Sequence, residues 1–421
     1  METFATWGIS LGSIVLVLIR PKGWPEAVWA VAGACLLVVC GLISPTGAMK
    51  GVAAGTDVYL FLVGMMVISE LARRQGVFDW VAVHAVRAAR GSRQRLFALV
   101  YGVGIVVTVL LSNDATAVVL TPAVLAAVQA AEADPLPYLL VCAFIANAAS
   151  FVLPISNPAN LVVFGNDMPP LVKWLAMFGL ASAVSIVATF LILRTMAAPY
   201  LQGPVKAEIA EKPLSAGGRM TLGGIGFLAL GQLSASAMNW DLGVVAFGVG
   251  WVVAFSVALR DRTTWKDMAT GISWSVLPMV AGLFVIVEAL NGVGALRDAS
   301  EVLNHLQRWR RPEEAAIVSA FGIAAISNLV NNLPSGLISA AALKTAHIGG
   351  TLRVAVLVGV DLGPNLSVTG SLATILWLVA IRREGLNVTF WDFLKWGVWV
   401  MPPVLLLAIV ALFVGDTLPM R

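Results

Sequence analysis

The sequence predicts an all-α polytopic membrane protein built from two inverted repeats, each with about five membrane spans, a re-entrant helical hairpin and an unwound helix. Composition is the first reason: of 421 residues, 59% are hydrophobic and 12% are charged, whereas soluble domains carry roughly 25% charged residues. The second reason is that apolar segments recur along the chain at about the 20-residue length that crosses a bilayer. The third is that one order of spans, breaks and amphipathic stretches occurs twice.

The first half contains five apolar segments separated by charged or Pro- and Gly-rich breaks. They lie near 6–19, 25–44, 57–72, 136–166 and 171–198. Between the third and fourth, residues 77–90 place apolar groups at helical spacing against arginines, which is typical of an amphipathic helix at the membrane interface. Residues 96–130 then form two apolar arms around Ser-Asn-Asp at 112–114. We interpret this segment as a re-entrant hairpin.

The second half follows the same plan after a polar linker at 201–218, so the predicted repeats are 1–200 and 219–421. Its spans lie near 219–236, 240–259, 273–291, 352–381 and 396–415, with an amphipathic stretch at 292–311 and a second hairpin at 313–343. Glu70 and Glu288 end the matching third spans, where we expect interfacial or structural roles.

Interrupted apolar segments at corresponding places in two halves indicate a secondary transporter with its site between the repeats. Placing the 73–95 loop in the cytoplasm puts most of the 27 Lys and Arg residues inside, as the positive-inside rule favours. The first hairpin then enters from the cytoplasm, the second from outside, and both termini lie outside. An inner-membrane location follows, and a soluble basic face for nucleic acid is absent.

Neither GxxxxGK[ST] nor HExxH occurs, and the GxSxG match at 8–12 lies within the first apolar segment, so we expect neither ATP binding of that kind nor an intramembrane enzyme. The energy source is then a gradient or a separate subunit, and we expect no cofactor and no metal site. Cys35, Cys40 and Cys142 lie in apolar stretches, unlike a paired metal motif. We interpret them as small packed residues, with thiol coordination of a soft metalloid as the alternative.

Four polar clusters interrupt the apolar segments, and each combines Pro or Gly with Asn, Ser or Thr. Such residues break helices and free backbone groups, which a membrane protein tolerates only around a cavity or inside the protein. A structural role, in which prolines kink helices and polar groups join neighbours, is less consistent with four clusters in matching places. The candidate substrate-binding residues are Asn113, Thr116, Asn147, Ser156, Asn157, Asn160, Asn331, Asn332, Ser367, Thr369, Ser371 and Thr374.

Asp114 and Asp361 lie within these clusters, where a carboxylate costs several kcal/mol unless it is paired, solvated or protonated. The surrounding stretches 96–172, 312–343 and 354–381 contain no Lys or Arg. A site for an anion normally offers a basic side chain or helix N-termini, so a neutral polyhydroxy solute or a cation is favoured. Protonation and release at Asp114 or Asp361 would couple transport to a proton gradient.

Three motifs give the sequence a family resemblance: SNDATAVVLTP at 112–122, NLVNNLPSGL at 328–337 and DLGPNLSVTGSLATILW at 361–377. Together they resemble the arsenical pump membrane proteins, the arsenite efflux permeases of the ion transporter superfamily. The resemblance implies a scaffold part and a moving part in an elevator-type cycle, often in a dimer. It also implies export of arsenite or antimonite in exchange for protons, sometimes with a soluble ATPase partner.

By this resemblance the hairpin tips present Asn113, Asp114, Asn331 and Asn332, and the unwound segments present Asn157, Asn160, Asp361, Ser367 and Thr374. Trivalent arsenic in water is mostly As(OH)3, whose hydroxyls match Asn, Ser and Thr. The second half carries Ser371 and Thr374 where the first has Asn, which puts a symmetric pair of sodium sites in doubt. Sodium/proton antiport and silicic acid efflux remain alternatives. A receptor function would not explain why the hairpin breaks occur in both halves.

Overall fold

The computed structural model describes residues 2–206, 209, 213–261, 265–386 and 388–417 and folds each half of the chain into the same order of helices. The first half contains α1 (Glu2–Ile19), α2 (Glu26–Val39), α3 (Pro45–Ala54), α4 (Thr56–Arg74), α5 (Val77–Ala88), α6 (Arg93–Leu110), α7 (Asn113–Ala115), α8 (Thr121–Ala130), α9 (Leu136–Ala148), α10 (Pro158–Phe164) and α11 (Leu171–Ala197). The second contains α12 (Ala216–Met238), α13 (Leu242–Asp261), α14 (Trp265–Gly271), α15 (Val276–Gly292), α16 (Ala295–Gln307), α17 (Pro312–Val330), α18 (Asn332–Thr345), α19 (Gly350–Leu362), α20 (Leu372–Arg383) and α21 (Phe390–Thr417).

Within the described residues, eight helices are long and apolar enough to cross a membrane, and ten if each of two bent pairs counts as one span. The prediction of an all-α, multi-pass membrane protein is therefore confirmed. Sequence analysis missed α3 and α14, which precede the third span of each half, because both are short and carry no apolar stripe. The predicted span 25–44 is shorter than expected, since α2 ends at Val39.

Helices α1–α4 and α12–α15 pack mainly on one another, and we call them the scaffold group. Its two main contacts are equivalent: α4 packs on α13, and α15 packs on α2. A Cβ at Gly64 would lie 2.2 Å from the Ala246 carbonyl oxygen, and one at Gly282 would lie 2.7 Å from the carbonyl of Ala30. Glycine at both crossings lets the membrane helices approach closely.

The remaining helices, α5–α11 and α16–α21, form what we call the hairpin group. The fifth spans α11 and α21 pack together, as do α6 with α9 and α17 with α19. Both groups draw equivalent helices from both halves. With the two arms of each hairpin not counted as crossings, each half crosses the membrane five times, so the second half starts on the opposite side and the two repeats are inverted.

Candidate functional site between the hairpin tips and the broken helices

The fourth span of each half is broken in the middle. Helix α9 ends at Ala148 and α10 begins at Pro158, while α19 ends at Leu362 and α20 begins at Leu372. Prolines at 154, 158 and 364 lie in or beside the breaks and remove the amide that a continuous helix needs. The predicted unwound helices are present at 136–166 and 352–381.

Each restarted helix is capped by its own side chain. The Asn157 Oδ1 atom accepts a hydrogen bond from the Ala159 amide at 3.0 Å, and the Ser371 Oγ atom accepts one from the Thr374 amide at 3.1 Å. Ser and Asn are preferred at this position because they satisfy amides that have no partner in the helix. The caps therefore occupy part of the positive helix ends that an anion would otherwise use.

Asp361 joins the two breaks. Its carboxylate accepts hydrogen bonds from the Ser150 hydroxyl at 2.7 Å and from the Asn157 side-chain amide at 2.8 Å. The side chain is fully buried. Beside it, the Asn147 amide donates to the Asn365 side-chain oxygen at 3.0 Å. Residues from opposite halves thus hold the broken helices together.

The other predicted residues of the breaks mainly support local backbone. Asn160 donates to the Ser150 and Leu153 carbonyls, and Thr374 donates to the Val368 carbonyl. The Ser156, Ser367 and Thr369 hydroxyls donate to Val109, Asn328 and Asn328, respectively. These contacts fix the shape of the unwound segments.

The two hairpin tips have equivalent internal bonds. At the first, the Thr108 and Thr116 hydroxyls lie 2.8 Å apart. At the second, the Ser327 and Ser335 hydroxyls lie 2.7 Å apart. Asn331, at the second tip, has φ 76° and ψ 152°, a backbone region that is essentially reserved for glycine.

A cavity of about 120 Å³ lies between the first hairpin tip and the scaffold group. Its wall consists of α4, the tip residues Ser112 and Asp114, the loop after α14, and the first residues of α10 and α20. The tip therefore lies at the depth where the two broken spans resume as α10 and α20, as expected for a re-entrant hairpin. At the second tip, Asn331 lines a cavity of only about 10 Å³.

Asp114 is the predicted site residue that faces the larger cavity. Its backbone amide donates to the Asn113 side chain at 2.9 Å, and within the described part of the chain no hydrogen bond to its carboxylate is formed. Asp361, in contrast, does not line this cavity. Two acids that look alike in the sequence have different surroundings.

Two sets of residues were missed by sequence reasoning. Ser150 and Asn365 hold the breaks, and both occur inside polar clusters that already marked the site. Glu70 and Arg73 lie on the cavity wall with Asp114; the position of Glu70 at a span end gave no sign of this. Its counterpart Glu288 pairs instead with Lys50 at 3.1 Å.

Comparison with known proteins shows which family the chain matches. A family model described as citrate transporter matches residues 14–360. The chain is 27% identical to an arsenical pump membrane protein of Escherichia coli, over 95% of this chain and 96% of that one. It is 25% identical to the arsenical pump membrane protein of Yersinia enterocolitica at the same coverage, and 25% identical to an uncharacterized transporter of Mycobacterium tuberculosis over 94% and 95% of the two chains.

Among solved structures, the YdaH transporter of Alcanivorax borkumensis matches with a TM-score of 0.55 and 16% identity, covering 88% of this chain and 87% of that chain. This likeness concerns the fold. The helices, the breaks and the relatives agree that the protein is a membrane transporter, and the resemblance to arsenical pump membrane proteins is confirmed. Since the family model spans most of its length, the chain belongs to the citrate transporter family.

Proposed function

We propose that this protein exports arsenite and antimonite from the cytoplasm in exchange for protons, by an elevator-type movement of the hairpin group along the scaffold group. The observation that carries the proposal is the cavity beside Asp114. Its unpaired ionisable group is a carboxylate, and the Arg73 side chain on the same wall is bound to Glu70. The names of the relatives in Escherichia coli and Yersinia enterocolitica favour arsenic as the solute.

The charge of the cavity favours a neutral solute over citrate, for which the family is named. A tricarboxylate needs free cationic groups or open helix N-termini. Here the helix ends at the breaks carry their own caps, Asn157 and Ser371, and the tips are capped by Ser112 and Asn331. As(OH)3 and Sb(OH)3 carry no charge and exchange hydrogen bonds with hydroxyl and amide groups.

Asp114 is suited to carry the coupled proton. A carboxylate in a small membrane cavity without a cationic partner is costly when ionised, so it gains from binding a proton or an incoming solute hydroxyl. Asp361 already accepts two hydrogen bonds from the opposite half. We therefore assign proton exchange to Asp114 and the coupling of the two broken helices to Asp361.

The two cavities differ in size in the way that alternating access requires. The cavity at the first tip has about 120 Å³ and the one at the second tip about 10 Å³, so there is room for a solute beside one tip and almost none beside the other. If the 73–95 loop is cytoplasmic, the cavity at the first tip lies towards the cytoplasm, because Arg73 lies on its wall. Movement of the hairpin group would exchange the two states.

Uptake into everted membrane vesicles tests the proposal. Arsenite, antimonite, sodium, silicic acid and citrate are offered separately under an imposed pH gradient, with vesicles lacking the protein as the control. We expect accumulation of arsenite and antimonite that collapses when a protonophore is added. Proton-driven transport of sodium or silicic acid without transport of arsenite would contradict the proposed substrate. Arsenite uptake that does not depend on the pH gradient would contradict the proposed proton coupling.

A further inference from the structure

We propose that the ion cluster formed by Glu70, Arg73 and Arg74 determines the charge selectivity of the transport cavity. The cluster offers neither a free cation to anions nor a free carboxylate to metal ions, because both guanidinium groups bind the one carboxylate. The inference deepens the proposed function, on which it rests for the identity of the solute. The quantity that it concerns is the electrostatic potential of the cavity, which can be measured without any substrate.

The cluster is saturated with hydrogen bonds. The Glu70 carboxylate accepts bonds from Arg73 Nε and Nη2, both at 2.7 Å, and from Arg74 Nε at 2.6 Å. The Glu70 side chain is only 5% exposed, whereas that of Arg73 is 50% exposed. A bidentate guanidinium–carboxylate pair of this kind is strong and directional. The buried acid is thus paired with two guanidinium groups, and that of Arg73 lies at the rim of the cavity.

Backbone from the second half holds this arrangement in place. A Cβ at Gly271 would lie 1.8 Å from the Glu70 Oε1 atom, so a side chain there would displace the carboxylate. Arg74 Nη2 donates to the carbonyl of Asp267, in the same helix α14. Backbone of Gly271 on one side and the guanidinium groups of Arg73 and Arg74 on the other therefore fix the position of the Glu70 carboxylate.

The position of the cluster gives it a consequence for transport. Glu70 and Arg73 line the same cavity as Asp114, and Arg73 is the cation on its wall within the described residues. If Glu70 lost its charge, the freed guanidinium would attract oxyanions and carboxylates. If Arg73 lost its charge, Arg74 would still pair with Glu70, but the positive charge on the wall beside Asp114 would be gone, so the cavity would attract cations. Within the described residues, the intact cluster therefore leaves Asp114 as the carboxylate on the cavity wall that has no ion-pair partner.

A cysteine placed on the cavity wall reports the electrostatic potential of the cavity directly. Val118 lines the cavity and is half-buried, so Val118→Cys is introduced into protein in which Cys35, Cys40 and Cys142 are serine. The measured quantity is the ratio of reaction rates with an anionic and a cationic methanethiosulfonate of similar size, in purified detergent-solubilised protein. An uncompensated unit charge on the wall is expected to change this ratio by about tenfold.

We expect Glu70→Gln to raise the anionic-to-cationic ratio and Arg73→Gln to lower it, with the double variant returning towards the parent. Glu288→Gln is the matched control, since this carboxylate lies at the equivalent position of the other half and does not line the cavity. Gly271→Ala should act like a partial loss of Glu70, because the added methyl group displaces the carboxylate.

Unchanged ratios in Glu70→Gln and Arg73→Gln, both monodisperse on size exclusion, would overturn the inference. If Glu70→Gln does not fold, the test rests on Arg73→Gln and Gly271→Ala, and unchanged rate ratios in both would overturn the inference. Because the reporter reaction requires no arsenite, a protein that fails to move arsenite can still show the predicted ratios. Conversely, arsenite transport with unchanged ratios would remove this inference and leave the proposed function standing.

Discussion

Replacing Asp361 and Asp114 in turn by alanine should affect stability very differently. Asp361→Ala removes two hydrogen bonds, to Ser150 at 2.7 Å and to Asn157 at 2.8 Å. The Ser150 hydroxyl keeps a second acceptor, the Asn147 carbonyl at 2.7 Å, but the buried Asn157 amide loses its partner. From the usual worth of such bonds and of an unsatisfied buried donor, the expected loss is about 2–4 kcal/mol of unfolding free energy.

Asp114→Ala is the internal control for this experiment. Since no described residue donates to the Asp114 carboxylate and the side chain faces a cavity, the expected change in unfolding free energy is about 0.5 kcal/mol or less. Both variants can be compared with the parent by denaturant titration in mixed micelles, followed by tryptophan fluorescence. Equal destabilisation by the two variants, or greater destabilisation by Asp114→Ala, would refute the assignment of Asp361 as the tie between the broken helices.

Three further predictions address coupling, strain and the cysteines. Asp114→Asn should abolish pH-gradient-driven accumulation of arsenite in everted vesicles while leaving binding measurable, since the amide keeps the shape but cannot exchange a proton; retained accumulation would contradict this. Asn331→Gly should stabilise the protein by about 1 kcal/mol in the same micelle titration, because relief of the φ 76° backbone outweighs the few tenths of a kcal/mol lost with the cap on the Leu333 amide. Asn332→Gly, in helical backbone, should destabilise it by a similar amount. Simultaneous Cys35→Ser, Cys40→Ser and Cys142→Ser should preserve arsenite uptake, because none of the three lines the larger cavity; abolished uptake would replace hydroxyl recognition by thiol coordination.

Much of the fold could be predicted because membrane spans are encoded locally. A segment such as 171–198 is apolar along most of its length, with its charged residues, Lys173 and Arg194, near its ends, and the bilayer leaves a helix as the only way to satisfy its backbone. The breaks at 149–157 and 363–371 were also visible, because proline and glycine there cannot continue a helix. Short helices α3 and α14 were not, since a few turns without an apolar stripe produce no periodic signal.

The candidate site could be located from the sequence but not divided into roles. Asp114 and Asp361 look equivalent in an apolar chain, and only the fold shows that Asp361 is bound by Ser150 and Asn157 while Asp114 faces a cavity. Hydrogen-bond partners from the opposite half of the chain have no local signature.

By itself, the sequence determined the class of the protein: a membrane transporter with two repeats, two hairpin tips and two broken helices. Hydropathy and helix-breaking residues act over a few turns, so these features are readable without long-range contacts. The tertiary structure alone decided what each polar group faces. It paired Glu70 with Arg73 and Arg74 on the wall beside Asp114 and placed Gly271 against that carboxylate, because close packing between helices far apart in the sequence sets both charge and space in the cavity.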